Sequence, residues 1–160
     1  MKTCCFTGHR ILSKFKMPAL KKRLESTVEN LIHQGVYSFS CGGAIGFDML
    51  AGYTVLKFKK KYPTVKLIMI LPHRSQTEKW NDKKDREAYV QLLAAADEII
   101  YVSENYYDGC MKQRNIRLLD DSLYCIAYLK NKRSGTGQTV RMANERGITV
   151  FNLAIADNPV

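Results

Sequence analysis

Residues 65–71, Val-Lys-Leu-Ile-Met-Ile-Leu, form an almost unbroken apolar run closed by Pro72. A strand without polar alternation is one covered on both faces, and such strands belong to parallel sheets with helices on either side. The rest of the chain repeats that demand. Lys2–Phe6, Val36–Cys41, Glu98–Val102, Leu123–Leu129 and Ile148–Leu153 read as five further strands. Between them lie stretches with helical spacing. In the first, Pro18 is placed early and Leu20, Leu24, Val28, Leu31 and Ile32 follow at turns of a helix up to Gly35. The others cover Phe47–Lys61, Asp85–Ala96, Cys110–Asp121 and Thr139–Arg146, with Gly147 ending the last. Strand and helix in alternation predict a three-layer α/β sandwich with a mostly parallel sheet. At 160 residues, without an internal linker, the chain is expected to form one domain over residues 1–160.

In open parallel sheets, ligands sit outside the carboxyl ends of the strands. Four loops at such ends carry polar residues or glycine: Thr7-Gly8-His9-Arg10, Gly42 to Gly46, Pro72 to Gln76, and Ser134-Gly135-Thr136-Gly137-Gln138-Thr139. Their convergence on one rim is the main physical argument for a binding site. The turn holding Gly42, Gly43 and Gly46 joins a strand to a helix, so bare backbone N–H groups and a helix N-terminus would meet an anion there. The plainer alternative is a tight connection that needs positive φ.

Charge agrees with an anionic partner. There are 25 Lys and Arg against 15 Asp and Glu, a net charge of +10. That balance favours nucleotides, nucleic acid or an anionic surface. The lysine clusters at 21–23, 57–61 and 130–133 suit solvated helix ends as well as binding patches, and no basic stripe interleaved with aromatics stands out for nucleic acid. No apolar run approaches the roughly 18 residues of a membrane span, and the first ten residues do not make a signal peptide. The protein is therefore expected in the cytoplasm, without a membrane partner. Five cysteines, an odd number, lie mostly in apolar runs. Cys4 and Cys5 would face opposite sides of one strand, so neither zinc nor a disulfide framework is indicated.

Several side chains have two readings. Arg10 and Arg114 would clamp a phosphate through paired N–H bonds or else pair with nearby acids, Asp120 or Asp121 in the case of Arg114. Asp48 would take a ribose hydroxyl or cap the helix it opens. His9 would act as a base or as a turn residue bonded to backbone. Trp80, with Gln76, would cover a base or anchor the packing. Cys41 or Cys110 near His9 would make a nucleophile only with a third orienting group.

Taken together, Cys5 to Arg10, Gly42-Gly43-Ala44-Ile45-Gly46-Phe47-Asp48, Gly109-Cys110-Met111 with Arg114-Asn115, and Ser134 to Thr139 resemble the YpsA-like proteins. These belong to the SLOG superfamily, which also holds the DNA-processing protein DprA and the LOG phosphoribohydrolases. The resemblance runs from about Thr3 to Asn152. It implies a Rossmann-like fold that binds a nucleotide-derived ligand such as NAD or ADP-ribose at these four segments. LOG enzymes pair a Met-x-x-Arg segment with a glycine loop carrying a catalytic Glu. Met111 and Arg114 match the first, and Gly135 and Gly137 match part of the second. Val140-Arg141 stand where the acid would be. The expectation is thus a protein that binds or senses a nucleotide-like small molecule. A phosphoribohydrolase acting on a nucleotide and a DprA-like nucleic-acid binder stay open beside it, as does a homo-oligomer.

Overall fold

The computed structural model describes residues 2–157. Six strands alternate with five helices: β1 (Thr3–Gly8), α1 (Met17–His33), β2 (Ser38–Cys41), α2 (Phe47–Lys61), β3 (Lys66–Leu71), α3 (Lys83–Ala95), β4 (Glu98–Tyr101), α4 (Cys110–Asp120), β5 (Tyr124–Tyr128), α5 (Gly135–Glu145) and β6 (Thr149–Asn152), followed by a 3₁₀ turn over Leu153–Asp157. The strands form one sheet in the order β4-β3-β2-β1-β5-β6, and every pairing is parallel. The sheet expected to be mostly parallel is wholly so among the described residues.

Side-chain alternation sorts the core onto two faces. Cys4, Phe6, Leu67, Met69, Leu71, Ile126 and Tyr128 pack with Leu24 and Val28 of α1, Phe47 and Val55 of α2, and Leu92 of α3. Their neighbours Cys5, Ile70, Cys125 and Ala127 pack with Leu118 and Leu119 of α4 and Val140 and Ala143 of α5. Cys4 and Cys5 fall on opposite faces, as a strand requires. β3, the apolar run, is paired on both sides but lies one strand in from the edge.

Element ends differ from the sequence reading in places with identifiable causes. β1 continues to Gly8, because residues through Gly8 pair with β5 up to Tyr128. α3 starts at Lys83 because the Asp82 side chain accepts the Lys84 N–H at 2.8 Å. α5 starts at Gly135, four residues before Thr139, because Ser134 caps it by accepting the Gly137 N–H at 3.1 Å. The second glycine segment is therefore the first turn of a helix, not a loop ahead of one. Gly35 and Gly147, with φ of 94° and 74°, end α1 and α5 as expected.

The strand order reverses at β1: β2 follows on one side, β5 lies on the other. This switch point opens a crevice at the carboxyl end of the sheet.

Candidate functional site

A cavity of about 330 Å³ occupies that crevice. β1 and its loop contribute Phe6 to Arg10, the turn after β2 contributes Ala44, α2 contributes Asp48, α4 contributes Met111, Arg114, Asn115 and Leu118, and the start of α5 contributes Ser134 to Thr136. A second cavity, about 660 Å³, adjoins it and is lined by Trp80 and Gln76, with Ile45, His73 and Tyr106. Arg10 and Met111 line both. These two residues are therefore the wall that the two spaces share.

The first cavity brings two arginines and a helix N-terminus together with one carboxylate, Asp48. The first N–H groups of a helix have no acceptor within it. In α5 Ser134 Oγ takes that of Gly137, while Gly135 and Thr136 lie at the cavity wall. The aligned helix dipole adds partial positive charge at this end. The Arg10 side chain is exposed and makes no hydrogen bond or ion pair among the described residues. Arg114 differs. It is only 6% exposed; its Nη1 donates to the Gly42 carbonyl and its Nε donates to Asn115 Oδ1 at 2.8 Å. Three of its five N–H donors remain beyond those two bonds. Burial lowers its pKa, with the charge of Asp48 acting against that. Asp120 and Asp121 pair with Arg146 and Arg117 instead, which removes the alternative of an Arg114 ion pair with either.

Asp48 is buried at the start of α2, where its carboxylate accepts the Ala44 N–H at 3.3 Å. It ties down the glycine turn and does not cap its own helix, whose N-cap is Gly46 with no side-chain bond. Burial pushes its pKa up, against the pull of Arg114, Ala44 N–H and Arg10. His9 holds the crevice together. Its Nε2 accepts the N–H groups of Lys130 at 2.8 Å and Asn131 at 3.1 Å, and its own carbonyl accepts from Phe47 N at 3.1 Å. The ring is thus neutral with its proton on Nδ1, and burial followed by the Lys130 charge keeps its pKa low. This is the turn-residue role, not that of a base.

Most of the glycines face protein. A Cβ on Gly42 would lie 2.2 Å from Arg114 Nη1, so the bare backbone there admits the guanidinium. The freed Gly42 carbonyl accepts from Arg114 and, at 3.2 Å, from Gln76 Nε2. Gly43, at φ 70°, packs on Leu71, and Gly46, at φ 86°, lies against the Arg10 carbonyl. A Cβ on Gly8 would strike the Phe47 ring, and one on Gly137 the Lys132 carbonyl. Gly135 alone of the cavity glycines has open space in front of it.

The sequence candidates thus divide. Thr7, Gly8, His9, Arg10, Asp48, Met111, Arg114, Asn115, Ser134, Gly135 and Thr136 line the first cavity, and Gln76 and Trp80 line the second. Gly42, Gly43, Gly46, Pro72, Gly137, Gln138 and Thr139 line neither. Gly42 and Gly43 shape the site from behind, and Thr139 is fully buried with its hydroxyl donated to the Gly135 carbonyl. Trp80 meets Tyr89 edge-on at 5.4 Å, so it anchors packing while presenting a face to the second cavity. Cys41 meets the Met69 sulfur and burial raises its pKa, which leaves no activated thiol there. Sequence reasoning missed His73 and Tyr106, an edge-on pair 5.6 Å apart in the second cavity. His73 follows Pro72 in a strand-end loop that the sequence marks for binding, and that position is the one signal for it.

Fold and crevice together define a Rossmann-like α/β protein with a crevice at the switch point of its parallel sheet. The YpsA family model, described as the YspA SLOG family, matches residues 6–147. The chain belongs to this family. It is 31% identical over 142 residues to the uncharacterized SPbeta prophage-derived protein YoqJ of Bacillus subtilis, covering 81% of this chain and 82% of that protein. A UPF0398 protein of Bacillus pumilus is 32% identical over 124 residues, covering 72% of this chain and 66% of its own. Among solved structures, DprA of Streptococcus pneumoniae superposes with a TM-score of 0.68 at 18% identity, over 94% of this chain and 50% of that one. DprA of Helicobacter pylori gives 0.67 at 19% identity, over 94% and 64%. The chain thus spans about half to two thirds of the length of these DprA proteins, and the likeness is one of fold.

Proposed function

We propose that the protein binds a nucleotide-derived ligand of the NAD or ADP-ribose kind, as a binding or sensing protein. One observation carries this reading: the cavity at the α5 N-terminus and the cavity lined by Trp80 and Tyr106 share Arg10 and Met111 in their walls. Each volume lies within the ordinary range for small-molecule sites, roughly 300–1,000 Å³. Phosphate would take the α5 N-terminus and Arg10. The base would enter between Trp80 and Tyr106, where aromatic faces favour stacking. Membership of the SLOG family supports a nucleotide-type ligand. Binding without turnover is favoured because no acid stands at Val140-Arg141, and the carboxylate that does line the first cavity, Asp48, accepts the Ala44 N–H and holds the glycine turn.

Calorimetric titration tests this with two ligands, ADP-ribose and ribose 5-phosphate. Gly135→Val fills the open wall at the α5 N-terminus and is expected to abolish binding of both, with the thermal midpoint of the free protein retained. Trp80→Ala is expected to weaken ADP-ribose and to spare ribose 5-phosphate. Equal effects of Trp80→Ala on the two ligands would overturn the two-part assignment. Absence of saturable heat with ADP-ribose, NAD and nucleoside diphosphates would overturn the reading as a whole.

A further inference from the structure

The wall of the second cavity holds two polar side chains that are nearly buried and only partly used. His73 is 6% and Gln76 7% exposed, whereas Glu78, Lys79 and Asn81 in the same wall are exposed. Gln76 Nε2 donates to the Gly42 carbonyl at 3.2 Å, and its Oε1 accepts from the Tyr89 hydroxyl at 3.3 Å. A carbonyl cannot donate, so the Gln76 amide stands one way round. One N–H and one oxygen lone pair of that amide are left over. His73 Nδ1 accepts the Ser75 N–H at 3.2 Å, which places the ring proton on Nε2. That N–H has no acceptor among the described residues. The ring is held from both sides. The Pro72 carbonyl accepts the Ser103 N–H at 3.1 Å, the Arg74 N–H reaches the Glu104 carbonyl at 3.4 Å, and Tyr106 meets the imidazole edge-on. Buried polar groups in folded proteins are nearly always paired. Two with unspent capacity on one cavity wall are groups that a hydrogen-bonding ligand would complete.

We propose that His73 and Gln76 read the edge of a purine, so that this cavity selects purine over pyrimidine nucleotides. The inference rests on the reading of the second cavity as the place of the base. Together the two side chains offer two N–H donors and one acceptor. On the edge away from the sugar a purine presents three hydrogen-bonding groups in a row: N1, the 6-substituent and N7. A pyrimidine presents two there, N3 and the 4-substituent, and a C5–H or methyl group stands in the third place. Seating a pyrimidine therefore strands one nearly buried polar group. A site built to hydrogen-bond a group rejects an analogue without it far more strongly than an apolar pocket rejects a change of shape. Both purines match the set. Adenine sets its amino group on Gln76 Oε1, with N1 and N7 taking the two N–H groups. Guanine sets O6 on the Gln76 N–H, with its N1–H on Oε1 and N7 on His73 Nε2.

The test is calorimetric titration of the full chain with ADP, GDP, CDP and UDP, with ribose 5-phosphate as the probe of the first cavity alone. At least one purine diphosphate is expected to bind about tenfold or more tightly than both pyrimidine ones, the factor for stranding one buried polar group. ADP ahead of GDP puts Gln76 Oε1 at the centre of the three groups, and the reverse order puts Nε2 there. His73→Phe keeps the edge-on ring and removes the N–H. It is expected to weaken the preferred purine about fivefold or more, without weakening CDP, UDP or ribose 5-phosphate. His73→Gln returns an N–H near that place and is expected to restore part of the preference. Gln76→Met, similar in shape, is expected to lower the preference as well while ribose 5-phosphate binding is retained. The proposal is overturned if pyrimidine diphosphates bind as tightly as purine ones. It is equally overturned if His73→Phe and Gln76→Met weaken every ligand alike, ribose 5-phosphate included, since the two residues would then only hold the loop. Binding of ribose 5-phosphate with no order among the four diphosphates removes this inference and leaves the phosphate site standing, whereas silence of all five ligands removes both.

Discussion

Arg114 gives two donors to the protein and sits at 6% exposure, while the Arg10 side chain gives none and stands at the junction of both cavities. Positioning and ligand capture are therefore separate tasks. Arg114→Ala leaves the Gly42 carbonyl without its charged donor and empties the space that the glycine makes for it. A loss of about 2–3 kcal/mol is expected, the range for hydrogen bonds to charged groups plus a stranded buried partner. Arg10→Ala is expected to shift stability by no more than about 0.5 kcal/mol, as at an exposed site, and to weaken ADP-ribose about tenfold or more through a lost charge-assisted bond. Urea midpoints beside calorimetric titration separate the two effects. An affinity loss larger for Arg114→Lys than for Arg10→Ala, at unchanged stability, would reverse the assignment. The sequence marks both arginines for the same rim and, from its place in the Met111-x-x-Arg114 segment, points to Arg114 as the larger contributor to affinity. Arg114 bonds a carbonyl 72 residues away, and a backbone acceptor leaves no trace in residue type.

At the scale of elements, α5 carries two glycines in its first turn with opposite surroundings. Gly135 faces open space, whereas a Cβ on Gly137 would lie 2.1 Å from the Lys132 carbonyl oxygen. Gly135→Ala is expected to leave stability unchanged or raise it by up to about 1 kcal/mol, since alanine removes glycine's entropy cost in a helix. Gly137→Ala forces the 132–134 turn to move and is expected to cost about 1–3 kcal/mol, the range for overpacking. Thermal midpoints of the two variants check the contrast, and equal midpoints would contradict it. The spacing of apolar residues makes all six strands and all five helices legible, because burial on two faces of a sheet imposes that pattern. The start of α5 is not legible: a Ser-Gly-Thr-Gly string looks like a loop, and only the Ser134 cap shows that it is helical. The glycines of the other turn mislead in the same way. In sequence they suggest room for a ligand, and most are room for Arg114, Leu71 and the Arg10 backbone.

Across the whole molecule, the crevice lies between two halves of the sheet that His9 joins. Its ring accepts from the loop after β5, its backbone N–H donates to the Tyr128 carbonyl at 3.3 Å, and its carbonyl receives the first N–H of α2. Protonation would put a proton on Nε2 facing two N–H donors, so the folded chain resists it. Burial, and then the Lys130 charge, hold the His9 pKa below its ordinary value of 6.5. The unfolded chain therefore binds more protons than the folded one at pH values between the folded pKa and 6.5. This contribution to stability is present above about pH 6.5 and is lost as the pH falls through the folded value. Asp48 works in the opposite sense, because burial raises its pKa and acid relieves the cost of its charge. Comparison with His9→Ala removes that background. The variant is expected to lose about 1–3 kcal/mol near neutrality, from two hydrogen bonds of roughly 0.5–1.5 kcal/mol each. Its urea midpoint is then expected to change less than that of the unaltered protein between about pH 7.5 and about pH 5.5, on either side of the free histidine pKa. Parallel pH profiles for the two proteins would mean that the ring is not what closes the crevice.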